Sequence, residues 1–312
     1  MNDLLVPRAL LPTKSAQRAM ADAGGLWAIP HWSLSNWELM RRNGEFIAEA
    51  QRRRVRALEV DTLDEALVEA LPDLEFLRVA GIADGQLIER LERLRFLGLA
   101  TWTGSLDFGR LPALEWLAVG ESEAGDLDTL EPGHPTLRNL IVGRYAFADL
   151  APLARLRLVR LSLGDSRRLA SLDGAGGLAQ TLTGLDLWRL PALGVLDGIA
   201  RLSGLEVVTL SSLRNVTTLH WASALPNLRL LDIRELKNVE SLAPLAGHPS
   251  LEYVLFGRTR DMDLEPLRQI PNLRICSSPP GRWRGDGEDI PELSRRAHDG
   301  ADVVAMWRLR EG

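Results

Sequence analysis

The chain of 312 residues contains one cysteine, Cys276. No disulfide can form within it, so a reducing compartment, the cytoplasm, is the expectation. Lysine is almost missing: only Lys14 and Lys237 stand beside 35 arginines. That imbalance reads as the codon composition of a GC-rich, bacterial genome rather than as a functional signal. No run of 18 apolar residues occurs, so no membrane-spanning helix is expected. The first twenty residues lack the uninterrupted apolar core of a secretory leader. A basic excess is missing too: 37 basic residues face 42 acidic ones, a net charge of −5. Proteins that neutralise phosphate backbones carry a basic excess or a basic face, so no nucleic-acid partner is expected.

Catalytic signatures are equally scarce. There is no G-x-S-x-G, no H-E-x-x-H and no lysine behind a glycine-rich loop. The five histidines (His31, His134, His220, His248, His298) are not spaced as metal ligands. Gly174-Ala-Gly-Gly-Leu-Ala179 matches G-x-G-x-x-A, but it falls on a connecting segment instead of between a strand and a long helix. Cys276 sits where other segments place a core leucine, which suits a buried small apolar residue better than a nucleophile. The acidic stretch around Asp286, Glu288 and Asp289 lacks the order of a calcium loop. No enzymatic activity, metal or cofactor is expected.

Leucine is what the chain has in abundance: 60 of 312 residues, about 19%. The leucines recur as L-x-x-L-x-L. Leu74/Leu77/Val79 is followed by Leu94/Leu97/Leu99, Leu114/Leu117/Val119 and Leu137/Leu140/Val142. Leu158/Leu161/Leu163, Leu182/Leu185/Leu187, Leu205/Val208/Leu210, Leu228/Leu231/Ile233 and Leu251/Val254/Phe256 continue the series. Val55 opens it one unit earlier, and Leu273/Cys276 closes it, at steps of 19 to 24 residues. The alternating L-x-L predicts a short strand with both leucines on one side. A second apolar set, such as Val216/Leu219 and Val239/Leu242/Leu245, returns the chain on the opposite side. One such unit cannot bury its leucines alone, whereas stacked units bury them together.

The pattern resembles the leucine-rich repeats, in particular the short internalin-like and phosphatase-regulator-like classes, over residues 55–276. The resemblance implies an α/β solenoid of about eleven repeats, with a parallel sheet on its concave face and short helices or loops on the convex side. It departs from the family at one position. Three residues beyond the second strand leucine the family places Asn or Cys; here stand Ile82, Trp102, Ser122, Tyr145, Ser166, Leu190, Leu213, Leu236 and Thr259. Apolar side chains are therefore expected to fill the turn, and the loop backbone must find other partners. His134 and His248 share the context H-P-x-L and read as turn residues. Residues 1–54, with Trp27, Trp32 and Trp37 and a helix predicted over 35–54, are expected to cap the first repeat. That helix would use Trp37, Met40, Phe46 and Ile47. The basic run 52–56 reads as solvated cap surface. Residues 277–312 are expected to form a cap or a flexible tail, with a short amphipathic helix expected over 291–309.

The repeat register also lists the outward, concave face of the strands. Before the second leucine it places Phe76, Phe96, Trp116, Arg160 and Tyr253, among others. Between the leucines lie Asp186 and Asp232, and after them Trp188 and Arg234. The run Phe76–Phe96–Trp116 is expected to expose apolar surface, a mark of interaction sites. Small residues after the leucines are expected to let another chain approach. Only five of 27 face positions are charged. The expectation is a monomeric, non-enzymatic scaffold that binds a partner protein or peptide. The alternatives are a self-assembly module or the substrate-recognition part of an effector-type enzyme.

Overall fold

The computed structural model describes residues 46–277, apart from residues 53, 122–125 and 131. Of the helix predicted over 35–54, the described part is helical as α1, Phe46–Arg52, and residues 35–45 lie outside the described residues. Trp27, Trp32, Trp37 and Met40 and the helix considered over 291–309 lie outside the described residues. The chain divides into two compact units, Met1–Gly143 and Arg144–Gly312.

In the first unit each L-x-L segment becomes a strand: β1 (Ala57–Val60), β2 (Phe76–Asp84), β3 (Phe96–Thr103), β4 (Trp116–Val119) and β5 (Asn139–Gly143). They pair in parallel in chain order with the leucines in register; Leu77, Leu97, Leu117 and Leu140 form one row. The returning segments carry α2 (Glu65–Ala70), α3 (Gly85–Ile88) and 3-10 turns at Phe108–Arg110 and Asp128–Leu130. Aspartates start three of these elements. Asp64 accepts from the Leu67 amide, Asp84 from Gln86 and Asp107 from Gly109, each capping an otherwise unbonded N–H.

The second unit repeats the arrangement with β6 (Arg160–Gly164), β7 (Gly184–Trp188), β8 (Val207–Ser211), β9 (Leu230–Ile233), β10 (Tyr253–Phe256) and β11 (Ile275–Ser277). All are parallel and sequential. Its return segments are 3-10 turns, except α4 (Glu265–Arg268). The inward rows Leu161/Leu185/Val208/Leu231/Val254 and Leu163/Leu187/Leu210/Ile233/Phe256 are buried. So are the convex residues Val216, Leu219, Val239, Leu242, Leu245 and Leu267.

Two side-chain devices tie successive repeats in addition to the sheet. The first is a ladder of alternating charge at the residue after the first leucine of each motif. In the first unit Arg56 pairs with Glu75, and Arg95 reaches Glu75 (4.0 Å) and Glu115 (2.8 Å). In the second, Arg229 reaches Glu206 (3.8 Å) and Glu252 (2.7 Å), and Arg274 reaches Glu252 (3.2 Å). The second device is an asparagine ladder, displaced from the position where the family carries it. Asn215 Nδ2 donates to the Pro191 carbonyl (2.8 Å) and Asn238 Nδ2 to the Arg214 carbonyl (2.7 Å). Asn227 and Asn272 do the same before the strands, to Ser203 (3.0 Å) and Pro249 (2.6 Å). These are the loop-backbone partners that the missing family Asn left to be found.

The family position itself is filled as expected in the second unit, where Tyr145, Ser166, Leu190, Leu213, Leu236 and Thr259 are buried. Ser166 Oγ donates to the Tyr145 carbonyl and accepts from the amides of Arg168 (3.2 Å) and Leu169 (3.0 Å). In the first unit the expectation fails at Ile82, which is 61% exposed. There β2 runs on to Asp84 past an irregularity between Val79 and Ile82, so the chain reaches its next helix without burying that side chain.

His134 and His248 are buried spacers between repeats. His134 Nε2 donates to the Phe108 carbonyl (3.2 Å), and its Nδ1 accepts from the Leu137 amide (3.1 Å). His248 repeats the arrangement with the Ala222 carbonyl (3.2 Å) and, more loosely, the Ser250 amide (3.4 Å). An acceptor at Nδ1 requires the neutral ring with its proton on Nε2. Burial, the largest cause, lowers both imidazole pKa values. The glycine-rich 174–179 segment is a repeat turn: Gly174 has φ +86°, and a Cβ there would lie 2.4 Å from the Ala151 nitrogen of the preceding turn.

Candidate functional site

Parallel register places the candidate residues of the outward strand face in rows. In the first unit Phe76, Phe96 and Trp116 are direct neighbours on β2, β3 and β4. The Phe76 and Phe96 rings stack with centroids 4.2 Å apart, and Phe96 and Trp116 lie at 6.5 Å with a 31° tilt. The expected aromatic run exists, but most of it is not exposed. Phe76 and Phe96 retain only 6% and 5% of their surface, and Trp116 alone is half-buried. Stacking turns each phenylalanine face against its neighbour, which removes the apolar patch that single residues would offer. Beside them Arg78 extends along the sheet to pair with Glu59, its Cγ within 3.3 Å of where a Gly98 side chain would begin.

In the second unit the six candidates fall on three rows. Arg160 and Tyr253 lie at opposite ends of the first, separated by Gly184, Val207 and Leu230, and are not brought together. Asp186 and Asp232 share the second row with Ser162 and Thr209, all four buried. Ser162 Oγ donates to Asp186 Oδ2 at 2.7 Å. Trp188 stands on the third row next to Gly164. Arg234 follows β9 and turns back onto Asp232. Nε donates to Oδ1 (2.9 Å), Nη2 to Oδ2 (2.7 Å), and the Arg234 amide to Oδ1 (3.3 Å). This bidentate hydrogen bond raises the guanidinium pKa further above its ordinary value and fixes the fork. The Asp232 side chain is 5% exposed and that of Arg234 51%, so the pair presents a positioned cation.

The small residues after the strand leucines have a different use from the one expected. A Cβ on Gly164 would lie 1.8 Å from the Trp188 indole, so the ring rests on bare backbone there. In the first row Gly184 seats Arg160, whose Nη1 would be 3.0 Å from an added Cβ. At Gly164 and Gly184 glycine admits a side chain of the neighbouring repeat, whereas at Gly143 and Gly257 an added Cβ would meet the backbone carbonyls of Gly120 and Arg234. Sequence reasoning missed the apolar cluster of Val207, Leu230, Tyr253 and Leu255, which is buried on the same face. Its signal was present in the first row, where three aliphatic or aromatic residues follow one another on β8, β9 and β10.

Cys276 is buried in β11 opposite Val254, and burial pushes its thiol up to about 11. A thiol protonated at neutral pH in an apolar site is a poor nucleophile. Among the described residues no group of three His, Cys, Asp or Glu side chains is placed to hold a metal ion. No helix among them is long and apolar enough to cross a membrane.

No protein-family description and no curated protein sequence matches the chain. Solved structures do match. An internalin (InlF) of Listeria monocytogenes aligns over 95% of this chain and 84% of its own, at 17% identity and a TM-score of 0.57. Internalin C2 of the same organism covers 61% of this chain and 83% of its own at 20% identity, with a TM-score of 0.47. A Leptospira interrogans leucine-rich-repeat protein covers 79% and 60% at 19% identity, with a TM-score of 0.48. At 17% identity the likeness to InlF speaks to fold alone. Together with the parallel strands in repeat register, it establishes the fold of this chain as a leucine-rich-repeat solenoid.

Proposed function

We propose that the protein is a non-enzymatic recognition scaffold that binds a partner protein or peptide through the outward face of its strands. The candidate contacts are Phe76, Phe96 and Trp116 in the first unit. In the second they are Arg160, Asp186, Trp188, Asp232, Arg234 and Tyr253. The observation that carries the proposal is Arg234, whose guanidinium is locked by a buried carboxylate yet half exposed. A surface arginine held this way loses little side-chain entropy on binding, and Trp, Tyr and Arg are the residue types enriched at binding hot spots. The half-buried Trp116 and Trp188 add accessible aromatic surface. Phe96 lies beside Trp116, and because Phe76, Phe96 and Tyr253 are buried they meet a partner less directly.

The test is affinity capture from native lysate with wild type, Trp116→Asp and Arg234→Glu in parallel, read by mass spectrometry, with circular dichroism checking the fold. A protein retained by wild type and lost by folded variants supports the scaffold reading. Identical retention by all three removes this face from consideration.

A further inference from the structure

The turns after β8, β9 and β10 place one cation at the same register in three successive repeats: Arg214, Lys237 and Arg260. Each directly follows a buried residue (Leu213, Leu236, Thr259), and all three side chains are exposed. Arg167 holds the same position after β6, while Pro191 interrupts the row after β7. The chain pairs many other arginines with carboxylates, Arg56, Arg95, Arg189, Arg229, Arg234 and Arg274 among them. None of the cations of the row enters an ion pair.

The backbone that bears the row is tied down at every step. Asn238 Nδ2 donates to the carbonyl of Arg214, and Asn215 Nδ2 donates to that of Pro191. The Arg260 amide donates to Val239 (2.9 Å) and the Asp261 amide to Glu240 (3.1 Å). Successive repeats therefore hold their cations at a fixed pitch, ~5 Å at the level of the strands. The row also lies in the positive part of the molecule. Residues 144–277 hold sixteen basic and thirteen acidic residues (net +3), whereas residues 46–143 hold ten and eighteen (net −8).

We propose that this loop edge of the second unit is a second interaction surface, independent of the outward strand face, and that it takes an extended acidic segment of a partner protein. An unpaired cation row held on fixed backbone gives electrostatic complementarity to a carboxylate-rich strand without reorganisation. A peptide suits it better than nucleic acid. No aromatic side chain interleaves the row to stack bases, Glu240 and Asp261 stand among the cations, and the whole chain carries −5.

The test uses the full chain and a fluorescein-labelled deca-glutamate peptide, followed by anisotropy at low and physiological salt. The expected result is binding that weakens with salt and falls about tenfold in the triple variant Arg214→Glu, Lys237→Glu, Arg260→Glu. A charge-matched control, Arg155→Glu, Arg157→Glu, Arg201→Glu, reverses three exposed cations elsewhere in the same unit and should retain binding. The neutral set Arg214→Gln, Lys237→Gln, Arg260→Gln should fall between wild type and the reversed row. Absence of binding by wild type overturns the proposal, and so does an equal loss in the control, which would make net charge the cause. Tighter binding to polyuridylate or to phosphatidylserine vesicles than to the peptide also overturns it, in favour of a nucleic-acid or lipid surface.

Discussion

The first three steps of the repeat advance by 19, 20 and 20 residues, and the five within the second unit by 22 to 24. The extra residues go largely to the corner after the strand. In the short repeats β2 and β3 continue extended to Asp84 and Thr103; Asp84 itself caps the next helix, and after β3 a left-handed Gly104 leads to the cap at Asp107. In four consecutive repeats, those that start at Leu137, Leu158, Leu182 and Leu205, the chain turns left-handed immediately, at Arg144, Asp165, Arg189 and Ser212, with φ between 49° and 56°. None of these is glycine, and each such conformation costs ~1–2 kcal/mol. The cost is offset at the next residue, which drops into the core as Tyr145, Ser166, Leu190 or Leu213. The left-handed amides also bond to the next repeat, Asp165 to Trp188 (3.1 Å) and Arg189 to Ser211 (3.0 Å). The turns after the strands of the second unit also carry Asn215, Asn238 and the unpaired cations, two of these after β9 and β10, where no left-handed residue directly follows the strand. A few added residues per repeat thus convert a plain return into a fixed, decorated edge.

The comparison implies that the leucine rows are common to both units and that the corner belongs to the second. The largest effect should therefore be indifferent to the unit: Leu97→Ala and Leu231→Ala should each cost ~2–5 kcal/mol in chemical denaturation, as buried leucine truncations do. A loss below ~1 kcal/mol at either site would mean that its row is not core. Next, Gly164→Ala should destabilise the second unit by ~1–3 kcal/mol by driving a methyl into the Trp188 ring, and Trp188→Ala should rescue it. If the double variant is no better than the single one, the seat for the ring is not what requires glycine.

Asn238→Ala should remove ~0.5–1.5 kcal/mol, with faster amide exchange confined to the loops around Arg214 and Val239. Exchange that also rises in the first unit would break the comparison.

The smallest effect is a pH dependence shared by both units. The folded state holds His134 and His248 neutral, with lowered pKa values, so the unfolded chain binds their protons first. Their contribution is complete above the ordinary histidine value of about 6.5 and declines as pH falls below it. The melting temperature should drop between pH 7.5 and 5.5, and a His134→Asn, His248→Asn variant should flatten that drop. An equal slope in the variant would assign the dependence to other groups.

The fold was legible in the sequence because each repeat obeys the same local rule, so eleven weak signals share one register. Every L-x-L became a strand, and the convex leucines were buried as read. The histidines of H-P-x-L are turn spacers as expected. What escaped was pairwise and long-range. The charge ladder from Arg56 to Glu115 alternates in sign at one register position. It shows only when repeats are aligned on a residue that is neither core nor outward face. The displaced asparagines bond to carbonyls 24 residues away. At the candidate site the register placed the residues correctly, and their exposure was misjudged. Phe76 and Phe96 protect each other, and the small row that suggested room for a partner takes Trp188 at Gly164, while Arg160 lies against Gly184 of the first row. Facing outward from a strand sets a direction, while neighbouring strands decide how much surface survives.

Hydroxyl-radical footprinting of the protein with and without its captured partner tests the proposed face most directly, because tryptophan oxidation is read residue by residue. Trp116 and Trp188 are predicted to lose reactivity in the complex, while the exposed Ile82 and Val195 keep theirs. A bound partner that leaves both tryptophans as reactive as in the free protein would contradict recognition through the outward strand face.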